Sequence, residues 1–362
     1  MKILFYIHAV SGGGGERVLA TLANEFVLQG MDVHLATRLD APFAYNVDDA
    51  VTLHDLYESC DSPSRLLNSL RLRRNMRRIA KTVKPDVIVA FMAAMGCSVI
   101  FSTAGLGVPV IVCEHTNVLR FISHSLNIKR KVLYPFASAV TVLTMHDYDI
   151  LKKRLSHVEY MPNPIRMVEF PADCMSRRKV VLAVGRVSQW EVKGFDNLIR
   201  CWGQICHDFP DWKLEIAGEA DEESKSYLGT LVQECNCKNV EFLGFRKDVE
   251  QLMISSQVFC LSSRVEGLPM ALLEAMNCGC CCVSFDVVTG PRDIIDDKVS
   301  GLIARNQDND DLVCKLSAVL ADEALRCSLA RQAQSSVEKY SIEHILERWN
   351  VLLDKVAYEK II

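Results

Sequence analysis

Short continuous apolar runs alternate along the chain with longer segments in which apolar residues recur every three or four positions. In the first half the runs are ILFYIHA, DVHLATR, DVIVAF, PVIVCEH and AVTVLT, and the segments between them include residues 16–28. Apolar runs of this length predict buried strands, and the wider spacing predicts amphipathic helices. The first half is therefore predicted to alternate strand and helix, as a parallel sheet requires.

The segment YMPNPI interrupts this alternation, because two prolines around an asparagine disfavour regular structure. Beyond it the rhythm restarts with VVLAVGR, KLEIAGE, VEFLGF, VFCLSSR, CCVSFD and GLIAR. The repetition predicts an α/β fold of two Rossmann-like lobes, each with a parallel sheet, facing a cleft. We place the lobes at residues 1–165 and 166–340, and we expect a C-terminal helix over 341–362 to pack back on the first lobe.

The composition is that of a globular protein, with 49% apolar and 24% charged residues in a chain of 362. The fifteen cysteines are expected to be free, buried thiols in a reducing cytosol. Glycines and Pro109 break the uncharged stretch 87–113 into strand, helix and strand, so we expect no transmembrane segment. Residues 1–10 lead into four glycines and predict a first strand rather than a signal peptide.

Charge is distributed unevenly between the two halves. Residues 1–170 hold 19 basic and 15 acidic residues, whereas the rest of the chain holds 22 and 30. A basic first half indicates an anionic partner there, and the acidic second half disfavours nucleic acid.

The most basic segment, residues 65–84, has eight basic residues and no acid. A helix over this segment would carry one basic stripe, formed by Arg71, Arg74, Arg77, Arg78 and Lys81. Its opposite face would be apolar and would carry Leu72, Met76, Ile79 and Val83. We expect the stripe to meet an anionic membrane surface or a lipid diphosphate. An ordinary crossover helix with a solvated outer face is the alternative.

A glycine run follows the first strand and precedes a predicted helix. Glycines at 12–15 would let the backbone approach a phosphate or a sugar, and the helix start would offer N–H donors. The run lacks the last glycine of the dinucleotide pattern, because Val18 stands there. A tight turn from strand to helix is therefore the alternative interpretation.

The second lobe gives a stronger signal. Arg186 follows its first strand, and Lys193 precedes the next helix, so two cations are expected at one end of the sheet, where they suit a diphosphate. Glu266 lies in a loop, and Glu274 lies eight residues further on in the following helix. Both carboxylates can face one site and accept hydrogen bonds from sugar hydroxyls.

Several motifs in order resemble one family. VGRV, KGFDNLI, VEFLGF, VEGLPMALLEAM and TGPRDII, together with SGGGGERVL, CEHTN and MPNPI, resemble the retaining nucleotide-sugar glycosyltransferases of family four, which have the GT-B fold. The resemblance covers nearly the whole chain. It is closest to bacterial transferases that extend lipid-linked oligosaccharides, including the N-acetylgalactosamine transferases of N-glycan assembly.

The resemblance implies a role for each matching residue. Arg186 and Lys193 would hold the donor diphosphate, Glu266 the donor sugar and Glu274 the ribose. The remaining implied contacts are the backbone of Gly267 and Leu268 at the phosphates or sugar, Phe245 at the base, Gly13, Gly14 and Gly15 over the diphosphate, and His115 near the reacting carbon. The donor would be a UDP-hexose or UDP-N-acetylhexosamine, and the acceptor a lipid-linked or surface-polysaccharide glycan. A buried histidine without a role is the alternative for His115.

No metal or other cofactor is expected. Asp147 and Asp149 form an Asp-x-Asp sequence, but they lie at the start of a predicted helix. Acidic side chains there interact favourably with the positive end of the helix dipole. Cys278 and the run Cys280–Cys282 cannot converge on one ion, because neighbouring strand residues point to alternate faces.

Two other classes of function remain open at this point. A nicotinamide-dependent oxidoreductase could use the same doubly wound lobes, although it has no need of the paired glutamates. A catalytically silent partner in glycan assembly is the third hypothesis. For the enzyme, we expect a peripheral position on the inner face of the cell membrane.

Overall fold

A computed structural model describes residues 1–118, 123–169 and 176–358 of the chain. The chain divides into two compact units, Met1–Pro164 with Glu343–Ile362, and Ile165–Ile342. Residues 359–362 of the expected C-terminal helix lie outside the described residues.

The first unit is built on a seven-stranded sheet in which every pairing is parallel. Its strands are β1 (Lys2–Tyr6), β2 (Asp32–Thr37), β3 (Thr52–Asp55), β4 (Val87–Phe91), β5 (Val110–Glu114), β6 (Ala139–Val142) and β7 (Val158–Tyr160). Its helices include α1 (Gly14–Leu28), α2 (Arg65–Val83), α3 (Ala93–Thr103), α4 (His124–Leu133) and α5 (Met145–Lys152). The strand order is β3-β2-β1-β4-β5-β6-β7. Successive strands are therefore added on one side of β1 up to β3 and on its other side from β4 onward, although all strands run parallel.

The second unit repeats this plan with six parallel strands. They are β8 (Arg178–Val184), β9 (Lys213–Ala217), β10 (Val240–Gly244), β11 (Ser256–Leu261), β12 (Cys281–Phe285) and β13 (Leu302–Ala304). The helices are α6 (Trp190–Lys193), α7 (Phe195–Ile205), α8 (Glu222–Glu234), α9 (Val249–Ser255), α10 (Met270–Asn277), α11 (Pro291–Ile294), α12 (Asn309–Ala321) and α13 (Glu323–Val337). The order β10-β9-β8-β11-β12-β13 places the reversal between β8 and β11.

Helix packing follows the apolar spacing in the sequence. Helix α7 buries Phe195, Leu198, Ile199, Trp202 and Ile205, which recur at three- and four-residue intervals. The last helix, α14 (Ile342–Tyr358), belongs mostly to the first unit, where Trp349 meets Phe26 of α1 with ring centroids 6.5 Å apart.

Residues 87–113 form β4, α3 and β5, as the sequence predicts. Among the described residues, no helix is long and apolar enough to cross a bilayer. The expectation of free, buried thiols is wrong for Cys327, which is disulfide-bonded, and for Cys314, which is free but exposed. The other described cysteines are free and are buried or partly buried, and Cys174 lies outside the described residues. Composition cannot show which cysteines come within bonding distance, because that depends on the fold.

Candidate active site

The predicted residues of the second unit lie at the carboxyl edge of its sheet. The loops after β8 and after β11 are neighbours there, because these two strands pair with each other. This is the point at which the strand order reverses, where open α/β sheets bind their ligands. The loop after β8 carries Arg186 and leads to Lys193, and the loop after β11 carries Glu266.

A glycine fixes the close approach of these two loops. Gly194 joins α6 to α7 with φ +65°, and a Cβ at this position would lie 1.9 Å from the carbonyl oxygen of Ser262. The Ser262 hydroxyl donates to the Lys193 carbonyl at 2.9 Å, and the Arg264 N–H donates to the Val192 carbonyl at 2.8 Å. Lys193, the last residue of α6, is therefore held against the end of β11.

Lys193 and Glu266 form an ion pair across the two loops. The Lys193 Nζ lies 2.8 Å from Glu266 Oε1, which also accepts a hydrogen bond from the Ser263 hydroxyl at 2.7 Å. The Lys193 stem packs over Gly185, where a Cβ would lie 3.2 Å from it. The lysine side chain is 25% exposed and the glutamate 11%, so the pair can be reached by a ligand. It offers a cation and a carboxylate side by side.

The backbone after Glu266 is held from a third loop. The Thr289 hydroxyl donates to the Glu266 carbonyl at 2.5 Å. Gly290 has φ +97°, and a Cβ there would lie 2.5 Å from the Gly267 carbonyl oxygen. Only glycine allows this approach, and the contact fixes the segment that leads into α10.

The other predicted donor-site residues of this unit are placed as follows. Leu268 is buried and precedes α10, and Glu274 is partly buried in the second turn of that helix. Arg186 is exposed directly after β8. Phe245 is 70% exposed after β10. The ion pair joins Lys193 to Glu266. Arg186, Phe245 and Glu274 are not part of this ion pair.

A second ion pair, which the sequence did not predict, joins the loop after β11 to α7. Arg264 binds Asp196 of α7 through two hydrogen bonds of 2.7 Å, and its Nη1 also donates to the Glu191 carbonyl. The hydrogen bonds that Arg264 donates to the Asp196 carboxylate raise the pKa of Arg264. The pair ties the loop after β11 to α6 and α7. The polar run SSRVEG after an apolar strand was the available signal.

In the first unit, the glycine run is occupied by its own helix. The N–H groups of Gly12 and Gly13 donate to Glu16 Oε2 at 2.6 and 2.7 Å. Glu16 stands at the third position of α1, which begins at Gly14, and supplies the reciprocal half of a capping box. Two of the donors expected to serve a diphosphate are therefore already bonded to a carboxylate.

His115 lies next to the glycine run in the first unit. A Cβ on Gly15 would lie 3.5 Å from the His115 ring and 2.8 Å from Met92 Cε. The His115 ring stacks on Phe91 with centroids 4.8 Å apart. Its Nδ1 is buried and has no hydrogen-bond partner within the described part of the chain. Burial lowers the pKa of His115 to about 4, so the ring is neutral at pH 7 and can exchange hydrogen bonds without carrying charge.

The basic helix is realised as α2, but its stripe is only partly available. Arg71 binds the Ser59 carbonyl and Asp61, and Arg78 pairs with Glu58. Arg77 donates to the carbonyls of Ser102 and Ala104, at 3.0 and 2.8 Å, at the end of α3. Only Arg74 and Lys81 of the predicted stripe are exposed without such a contact among the described residues. Met76, Ile79 and Val83 are buried on the opposite face, and Leu72 is partly buried.

Asp147 of the Asp-x-Asp sequence and the cysteine run have structural roles. Asp147 accepts hydrogen bonds from the Thr144 hydroxyl and the Val118 N–H, and Thr144 caps α5. Cys280, Cys281 and Cys282 are fully buried, and the Cys280 Sγ lies 3.1 Å from the Met253 carbonyl oxygen. Among the described residues, no group of three or more His, Cys, Asp or Glu side chains could hold a metal ion.

Each unit is a parallel sheet of the Rossmann type with polar loops where the strand order reverses, an architecture that commonly binds nucleotides. Family models match both units: Glycosyltransferase Family 4 over residues 12–168 and Glycosyl transferases group 1 over residues 173–336. The chain therefore belongs to the family-four glycosyltransferases, and it has the GT-B fold.

Similar proteins agree with this assignment. The chain is 28% identical to GalNAc-alpha-(1->4)-GalNAc-alpha-(1->3)-diNAcBac-PP-undecaprenol alpha-1,4-N-acetyl-D-galactosaminyltransferase of Campylobacter jejuni, over 98% of this chain and 99% of that protein. It is also 28% identical to the amylovoran biosynthesis glycosyltransferase AmsD of Erwinia amylovora, with the same coverage. Among solved structures, HepE of Anabaena in complex with UDP superposes with a TM-score of 0.82 at 19% identity, covering 98% of this chain and all of that one.

Proposed function

We propose that this glycosyltransferase moves a hexose or N-acetylhexosamine, with retention, from a uridine diphosphate sugar to a lipid-linked or surface-polysaccharide glycan. The observation that carries the proposal is the Lys193–Glu266 pair at the reversal point of the second sheet. A cation for the diphosphate lies there beside a carboxylate for sugar hydroxyls. The UDP bound to a protein of the same fold supports uridine as the nucleoside of the donor. The undecaprenol-linked substrate in a relative's name supports a lipid-linked acceptor.

In this proposal the protein acts by positioning and by charge. Lys193 and Arg186 bind the diphosphate and stabilise the negative charge that develops on it as the bond between the anomeric carbon and the phosphate oxygen breaks. Glu266 turns its carboxylate to the donor sugar, Glu274 holds the ribose, and Phe245 lies beside the base. The acceptor hydroxyl attacks the anomeric carbon on the face from which the diphosphate leaves. The departing phosphate takes the proton of that hydroxyl. We assign no protein nucleophile and no metal.

The first experiment is a thermal-shift panel with uridine, guanosine and adenosine diphosphate sugars, with and without a chelator. A ligand at 100 times its dissociation constant stabilises the folded state by about 2.7 kcal/mol. We expect the uridine compounds alone to raise the melting temperature, with no effect of the chelator. Loss of binding with chelator, or stabilisation by NAD but not by any sugar nucleotide, would contradict the proposal. Slow release of free sugar without acceptor would separate an enzyme from a silent partner.

We also propose that the outer face of α2 to α4 attaches the first unit to an anionic membrane. Helix α2 packs beside α3, and α3 beside α4. Large apolar side chains are exposed along these three helices and the turn after α4, namely Leu66, Leu67, Leu70, Phe101, Ile128, Val132 and Phe136. Arg74 and Lys81 lie on the same helix layer. Cations beside exposed apolar residues favour binding to an anionic bilayer, where each cation contributes about 1 kcal/mol.

Cosedimentation with liposomes tests this attachment. Arg74→Ser with Lys81→Ser should reduce binding to anionic vesicles, whereas Lys213→Ser with Lys247→Ser, which removes the same charge from exposed sites of the second unit, should not. Arg77 is left intact because it holds the end of α3. Hydrolysis of the donor should be unchanged in both variants. Equal sedimentation of both variants and the wild type would make α2 an ordinary crossover helix.

A further inference from the structure

The carboxylate of Glu266 uses its two oxygens unequally. Oε1 accepts hydrogen bonds from Lys193 Nζ at 2.8 Å and from the Ser263 hydroxyl at 2.7 Å. Oε2 has no hydrogen-bond partner among the described residues. Two donors therefore hold one oxygen, and the other oxygen is left to accept a hydrogen bond from a ligand.

Ser263 is held firmly in this group. It lies just after β11, it is 1% exposed, and its carbonyl accepts a hydrogen bond from Gln307 Nε2 at 3.2 Å. The Oε1 atom of Gln307 in turn accepts a hydrogen bond from Asn197 Nδ2 of α7 at 2.9 Å. Gln307 makes these contacts with φ +57°, a left-handed conformation that residues other than glycine seldom adopt. The backbone of Ser263 is therefore tied to α7 through Gln307.

A phosphate that binds Lys193 competes with Glu266 for the ammonium group. The Glu266 side chain is 11% exposed, and a carboxylate with so little access to water is costly without a donor. Ser263 supplies a donor to Oε1 that does not depend on Lys193. The carboxylate therefore keeps one hydrogen bond when the ammonium group turns to a phosphate.

We propose that Ser263 is a positioning residue that allows Lys193 to leave Glu266 for a ligand phosphate. Its hydroxyl offsets the loss of the ammonium group from Oε1 and keeps the carboxylate turned so that Oε2 faces the ligand. Without that hydroxyl, Glu266 depends on Lys193 alone, and the ion pair resists a phosphate. The inference rests on the proposed function for the diphosphate that binds Lys193.

Calorimetry with UDP tests this role. Ser263→Ala should weaken UDP binding about tenfold, the lower end of the range for a hydrogen bond to a charged group. Glu266→Gln should rescue this loss, because no carboxylate then retains Lys193, and the double variant should bind UDP as Glu266→Gln alone does. The control is Ser256→Ala, at the other end of β11, whose buried hydroxyl donates to the Leu252 carbonyl at 2.7 Å. This control should bind UDP as the wild type does.

Unchanged UDP affinity in Ser263→Ala would overturn the proposal. The same loss in the Glu266→Gln background would also overturn it, because Ser263 would then act on the loop and not through the carboxylate. An equal loss in Ser256→Ala would overturn it as well, since any buried hydroxyl of β11 would then have the same effect.

A second measurement needs no ligand. Lys193→Met removes the ammonium group, as a phosphate would, and leaves Ser263 as the only donor to the Glu266 carboxylate among the described residues. Ser263→Ala should therefore lower the melting temperature more in the Lys193→Met background than in the wild type. Equal decreases in the two backgrounds would overturn the proposal. Failure of the wild type to bind UDP would contradict the proposed function, and these melting temperatures would still decide the role of Ser263.

Discussion

The two sheets each carry a glycine-containing loop after their first strand, and the two loops satisfy their polar groups in opposite ways. In the first unit, Gly12 and Gly13 donate to Glu16, which lies in the first turn of the helix that follows the loop. In the second, Lys193 pairs with Glu266, 73 residues away in the chain. The first arrangement closes the loop on its own helix. The second joins two loops through an ion pair that is partly exposed, so we expect ligand chemistry chiefly at the second loop.

The largest expected effect is that of Lys193→Ala. In the proposed mechanism Lys193 faces the leaving diphosphate, so its removal should lower the transfer rate on the order of 10²- to 10³-fold, by analogy with the loss of one oxyanion donor. The measurement is kcat/KM for transfer to an acceptor glycan. Lys179→Ala is the matched control, because Lys179 forms a more exposed pair with Asp211 at 3.3 Å. A loss of less than threefold in Lys193→Ala would return the pair to a structural role.

Glu266→Gln should lower transfer about 10- to 150-fold, the range for losing a hydrogen bond to a charged group. Affinity for bare UDP should stay the same or rise, because Lys193 loses the carboxylate that competes with phosphate. Glu274→Gln should weaken bare UDP as well as transfer, as a ribose contact would. The measurements are calorimetry with UDP and steady-state transfer. Equal losses of UDP affinity in both variants would undo this division of roles.

Gly194→Ala should destabilise the second unit by about 1–3 kcal/mol, the usual cost of a residue forced into an unfavourable backbone region. The added Cβ meets the Ser262 carbonyl, and the loop carrying Lys193 must move. Gly229→Ala in α8 and Gly14→Ala in α1 are the controls, because neither Cβ would meet an atom within 4 Å. Thermal unfolding compares the three. A neutral Gly194→Ala would show that the two loops are not held together at this point.

The smallest effect is expected from Glu16→Ala. It removes the acceptor of two N–H groups at the start of α1, and losing such a cap costs about 0.5–2 kcal/mol. Glu347→Ala, at an exposed position of α14, should cost less. Denaturant unfolding followed by circular dichroism measures both. If Glu16→Ala also tightened UDP binding, the first loop would be a phosphate site that Glu16 blocks, and the contrast between the loops would narrow.

The central strands could be predicted from sequence because parallel strands buried on both faces are continuously apolar. The edge strands β3 and β7 could not, because TLHD and VEY are short and carry charged residues. The identities of Lys193 and Glu266 were also within reach of sequence reasoning, but their direct contact was not. It depends on how β8 and β11 pair.

The basic stripe of α2 shows the same limit. The spacing correctly separates a basic face from the buried Met76, Ile79 and Val83. It could not show that Arg77 binds the carbonyls at the end of α3, or that the loop after β3 brings Glu58 and Asp61 to Arg78 and Arg71. These acceptors come from other elements, so a charge pattern on one helix overstates how many cations are available to a partner.

The buried cysteine run has a practical consequence for labelling. Burial raises the pKa of Cys280 and Cys281 to about 12, so almost none of either thiol is in the reactive thiolate form at neutral pH. Cys314 on α12, by contrast, is exposed. A maleimide dye added briefly to native protein should therefore attach at Cys314 well before it reaches the run. Fluorescence from Cys314 would then report on the second unit without any engineered cysteine.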